Sequence, residues 1–101
     1  MNEINDDIIA GIYRRYNEAP HSRQKSEVLI EGVKEVFFRL PRYIHDPERY
    51  KEKSNIALEE FQNYLNRFFY QDREFIEKIM YEAKAYVLEL SEESENRLEQ
   101  R

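Results

Sequence analysis

Only Gly11, Gly32, Pro20, Pro41 and Pro47 stand as helix breakers in 101 residues. A chain so poor in breakers, and rich in Glu, Lys, Arg and Leu, is constrained to long helices. Those side chains lose little freedom in a helix, whereas glycine and proline carry the largest helical penalties. No stretch alternates apolar and polar residues as a half-buried strand does. The prolines then divide the chain. Proline lacks the N–H that a helix interior needs and crowds the preceding turn, so Pro20 and Pro41 read as stops. Asp46-Pro47-Glu48 reads as a start: aspartate caps, proline fits the first turn, and glutamate favours the positive end of the dipole.

Four helices are expected, over about 5–18, 22–40, 47–70 and 72–92, with 93–101 a frayed or extended acidic helix end. The first carries Ile8, Ile9, Ile12 and Tyr16 on one face of a 3.6-residue repeat, with Asp6 and Asp7 at its start. The second begins at Ser22 as N-cap and carries Leu29, Val33, Val36, Phe37 and Leu40. Tyr50, Ala57, Leu58, Phe61, Leu65 and Phe68 form the inner face of the third, which Ser54-Asn55 could instead break in two. Asp72 caps the fourth, whose stripe is Ile76, Ile79, Met80, Ala83, Val87 and Leu90. A turn of about two residues makes the last two helices antiparallel neighbours. The expected fold is all-α, an antiparallel up-and-down four-helix bundle with a long C-terminal helical hairpin, forming one domain over 1–101. Gly11 and Gly32 sit at stripe edges, where they would permit close helix contact.

Composition narrows the function classes. With no cysteine, disulfides and thiolate metal sites are impossible. The start, MNEINDDII, lacks the basic-then-apolar pattern of an export signal. No apolar run approaches the roughly 20 residues of a membrane span. A cytoplasmic protein is expected, made by a cell for itself or by a phage or plasmid within it. The net charge of −5 disfavours wholesale nucleic-acid binding. Charge is polarised: residues 72–101 hold nine acids against five bases, while 39–53 hold five Arg and Lys against three acids.

That basic stretch, RLPRYIHDPERYKEK, is the densest cluster of potential chemistry. Arg39 and His45 resemble, in spacing, the R-x(4–6)-H signature of the helical HEPN ribonucleases. The resemblance implies an arginine and a histidine acting together on RNA at a dimer interface. It covers two residues only, Leu40 stands where that family usually has a polar residue, and Pro41 falls inside the motif. The stop and start signals account for the same stretch as a joint between helices, plugged by Tyr43 and Ile44. Arg39 and Arg42 there complement the negative end of the helix dipole. As a basic loop with tyrosines, the joint could also grip an acidic partner. Glu18-Ala-Pro-His21 has E-x-x-H spacing but is interrupted by Pro20 and has no second copy, so neither metal nor cofactor is expected. A helix-turn-helix DNA-binding regulator would use Arg14, Arg15, Arg23 and Lys25, but Glu27, Glu31 and Glu35 would repel phosphates.

The stronger signal is apolar surface left over once the core is assigned. Tyr81, Ala85 and Leu88 recur at helical spacing almost opposite the inner stripe of the last helix. Phe38 and Tyr70 also fall off their stripes. Such a face is either buried by a second layer of neighbours or serves a homodimer or another protein. Glu92, Glu93 and Glu95 would steer a basic, nucleic-acid-handling partner. In size, acidity and helical form alone, with no motif to carry a family, the chain resembles bacteriocin or toxin immunity proteins and phage-encoded inhibitors. A non-enzymatic inhibitor, immunity or adaptor protein is therefore expected, with Tyr81, Ala85, Leu88, Phe38, Tyr70, Glu92, Glu93, Glu95, Arg42 and Tyr43 at the partner interface.

Overall fold

The computed structural model describes the backbone of residues 6–99 and the side chains of residues 6–95. In order come α1 (Asp6–Glu18), α2 (Ser22–Val36), a short 3-10 helix (Leu40–Tyr43), α3 (Pro47–Phe68) and α4 (Arg73–Glu99). They form an all-α, up-and-down four-helix bundle: α1 packs on α2, α3 on α4 as the terminal hairpin, and α2 against α4. The expected start at Asn5, the last two residues, and the side chains of Leu98 and Glu99 lie outside the described residues.

Each apolar stripe faces the shared core. Ile9 and Ile12 of α1, Leu29 and Val33 of α2, Phe61 and Leu65 of α3, and Ile79 and Ala83 of α4 are all buried. The two glycines differ. A Cβ on Gly32 would stand 2.7 Å from two atoms of the Ile12 side chain, so glycine there lets α1 and α2 approach closely. Nothing lies within 4 Å of a Cβ on Gly11, so the packing role expected for that residue does not hold.

Several helix ends depart from expectation for identifiable reasons. α2 stops at Val36 instead of reaching Leu40. A helical proline clashes with the carbonyl four residues earlier, here that of Phe37. Phe37 is the residue at which the helix ends, with φ −101° and ψ 26°. Leu40 N–H then donates to the Phe37 carbonyl at 3.0 Å, and the chain tightens into the 3-10 turn. At the start of the same helix His21, not Ser22, holds the extended backbone of the N-cap, and it makes no side-chain cap. Ser22 is already helical.

α3 runs unbroken through Ser54-Asn55. The Ser54 hydroxyl donates to the Lys51 carbonyl at 3.0 Å, which satisfies it within the helix. The start at Asp46 is capped, its carboxylate accepting the Arg49 N–H at 3.2 Å. At the other end Phe68 is 56 % exposed, whereas Phe69 packs against the core. Phe69 is the C-cap, where the chain leaves helical rotation and turns a different side chain inward.

Four residues, 69–72, link the hairpin, rather than two. Asp72 caps α4 by accepting the Phe75 N–H at 3.1 Å, and its other oxygen accepts the Tyr13 hydroxyl of α1 at 2.9 Å. α4 continues as helix through Glu99, so of the two readings of the acidic end, frayed or extended, it is extended over the described residues. That extension has something to bury: the Ser94 hydroxyl donates to the Ile44 carbonyl in the joint.

Candidate functional site

α4 is amphipathic in an unequal way. Phe75, Ile76, Ile79, Met80, Ala83 and Leu90 are buried, facing neighbours on the inner side. On the outer side Tyr81 is 71 % exposed and Leu88 60 % exposed, with Ala85 exposed between them. Seven residues of helix separate the two large side chains by about 10 Å along the axis, within reach of one partner surface. The core of the monomer is complete without them.

Around this pair stand exposed acids: Glu74 and Glu77 toward the start of α4, and Glu89, Glu92 and Glu95 toward its end. Lys78 and Lys84 share the surface. Lys78 is tied to Glu74 at 2.8 Å, and that hydrogen bond raises the ammonium pKa, so it screens its own helix first. Glu93 lies further round the helix, and it and Glu89 push up the Tyr86 phenol after burial has done so.

The other candidate residues fall elsewhere. Phe38, 57 % exposed, lines a cleft of about 280 Å³ between the joint and α3, together with Arg42 and Tyr43. Tyr43 is half-buried and also receives the Arg49 guanidinium over its ring, 5.4 Å from the centroid. Tyr70, 63 % exposed, stands at the α3–α4 turn with Gln71 donating to its hydroxyl at 3.3 Å. The ten residues thus divide among the α4 face, the cleft and the turn. Lys53 and Ile56, which also line the cleft, were missed by sequence reasoning. Ile56 did carry a signal, since it is an apolar residue off the inner stripe of α3.

The groups considered for other chemistry are placed as follows. Arg39 lies over the Phe38 ring at 5.4 Å, and His45 is exposed beyond the 3-10 turn. Near the α1–α2 turn, Arg15 pairs with Glu35 at 3.8 Å and Arg23 with Glu27 at 3.6 Å. Lys25 donates to the Tyr16 carbonyl at 2.7 Å. Three of the four cations of a DNA-reading face therefore have partners on their own hairpin. Among the described residues, no three His, Asp or Glu side chains gather in a group able to hold a metal. No described helix is long and apolar enough to cross a membrane.

Comparison with protein-family models, with curated proteins and with solved structures gave no match to this chain.

Proposed function

We propose that this chain is a non-enzymatic binding protein, acting as an inhibitor, immunity protein or adaptor toward a larger protein with a basic surface. The observation that carries this reading is the outward placement of Tyr81 and Leu88 on a helix whose opposite face already completes the core. Two large apolar side chains held on a rigid rod lose little entropy on binding, and an aromatic ring is a favoured anchor. The ring of Glu77, Glu89, Glu92 and Glu95 sets the partner's chemistry: an apolar socket rimmed by lysine or arginine. Acidic steering would speed the encounter and fade with salt.

The test is affinity capture from the native source, followed by binding measurements on the purified partner. Leu88→Asp is expected to weaken the complex about thirty-fold, equivalent to about 2 kcal/mol. Reversing Glu92 and Glu95 to lysine should lower the association rate and flatten its salt dependence, while Ile30→Ala on α2 should leave binding intact. A partner held equally well by Leu88→Asp overturns the assignment of this face. Concentration-dependent dimerisation of the chain alone, abolished by Leu88→Asp, would instead make the occupant a second copy.

A further inference from the structure

The cleft between the joint and α3 has a chemistry opposite to that of the α4 face. Its origin is the early stop of α2. Once Pro41 forces the chain out of the helix at Phe37, consecutive phenylalanines part company. Phe37 turns inward to meet Phe61 edge-on at 5.3 Å, and Phe38 turns out. Ile56, 44 % exposed, supplies a second apolar side chain to the cleft, and buried Leu40 contributes to the lining between helix end and joint.

Charge is concentrated at the same place. Arg39, Arg42 and Lys53 line the cleft against one acid, Glu60, a net of +2 within a chain whose net charge is −5. Two guanidiniums suit planar carboxylates, which they can bind in two-point fashion. The Arg39 guanidinium over Phe38 presents an aromatic wall and a cation together. At about 280 Å³ the space lies below that of a drug-sized ligand site. It suits one bulky side chain and the backbone flanking it.

We propose that this cleft recognises an acidic peptide segment, seating one aromatic or branched apolar side chain against Phe38 and Ile56 while flanking carboxylates meet Arg39, Arg42 and Lys53. A nucleic-acid strand fits less well. A strand long enough to bind through its phosphates would run off this small basic patch onto a chain that is acidic overall. The inference stands independently of the α4 face, which calls for a basic partner.

The probe is a fluorescein-labelled peptide EEFEE, followed by fluorescence anisotropy with the intact chain, alongside KKFKK, EESEE and an oligothymidylate. Saturable binding of EEFEE is expected, with KKFKK and EESEE bound at least about ten-fold more weakly. Arg42→Glu and Lys53→Glu should each weaken EEFEE by about ten-fold or more, and Phe38→Ser by a similar factor. Circular dichroism should stay unchanged, because Arg42 and Phe38 are exposed and their replacement opens no core. No binding of EEFEE up to millimolar concentration overturns the proposal. So does equal binding of KKFKK or EESEE, or tighter binding of the oligothymidylate that is lost in the same variants.

Discussion

Where α1 crosses the α3–α4 turn, the bundle is closed by rings: Tyr13, Tyr16, Phe69 and Phe75 lie with neighbouring centroids 4.7 to 5.5 Å apart. About 28 Å further along α4, at 1.5 Å per residue, the other end adds hydroxyl hydrogen bonds to the packing of Leu40, Ile44, Tyr50 and Leu90. Ser94 donates to the Ile44 carbonyl, and Tyr50 to the Val87 carbonyl, drawing the joint and the start of α3 onto α4. One end is packed by rings, and the other is also pinned. Packed rings resist deformation collectively, because interior side chains touch many neighbours at near-crystalline density. A pin acts through one donor and one acceptor, so its loss is local and smaller. The pinned end is also the one that carries the peptide-sized cleft.

The largest effect should come from Phe75→Ala. This ring is fully buried and touches three others. Its removal should cost about 3–5 kcal/mol in urea or guanidinium unfolding. A cost no greater than that of removing a single hydroxyl would erase the contrast between the ends. Next comes Ser94→Ala, which leaves the Ile44 carbonyl without this donor and should cost about 1–2 kcal/mol. Amide exchange should quicken chiefly over residues 40–46, with the aromatic end protected as before. Equal quickening at both ends would show that the bundle opens as one unit.

Tyr50→Phe should have the smallest effect near neutral pH, about 1 kcal/mol, but it carries a pH signature. Burial, then the neighbouring Tyr86, pushes the Tyr50 phenol from 10.0 up to about 12. The unfolded phenol ionises first, so its contribution to stability is complete below pH 10 and is lost as pH rises toward about 12. Melting temperature should fall over that window and fall less steeply in Tyr50→Phe. Some slope persists, because burial also raises Tyr64 and Tyr86. An unchanged alkaline profile in the variant would remove Tyr50 as a pin.

The packed end was the less legible of the two in the amino-acid pattern. Periodicity placed Ile9, Ile12, Leu29, Val33, Phe61, Ile79 and Ala83 inward, because each repeats within one helix. Phe75, Tyr13 and Phe69 escaped it. Phe75 lies at the very start of α4, before a stripe is established, and Phe69 sits at a helix end where the repeat no longer holds. The stop of α2 is legible four residues ahead of Pro41, where the clash with the Phe37 carbonyl outweighs the apolar stripe reaching Leu40. Ser94 gave no sign at all, since its partner is a backbone carbonyl fifty residues away.

The candidate surfaces divide in the same manner. The outer face of α4 was visible because Tyr81, Ala85 and Leu88 repeat within one helix. The cleft was visible only in part: the basic joint with its tyrosines reads as a grip for an acidic partner, but the convergence of Phe38 and Arg42 with Lys53 and Ile56 exists only where the joint meets α3.

α4 is the wall against which α2 and α3 both rest, and to which the joint is fastened. A nascent chain leaving the ribosome therefore presents the greasy sides of its first three helices before their common support exists. Until α4 has followed them out, α1 and α2 cover part of those sides against each other, but the faces of α2 and α3 that rest on α4 stay open. Translation delivers the keystone after the stones.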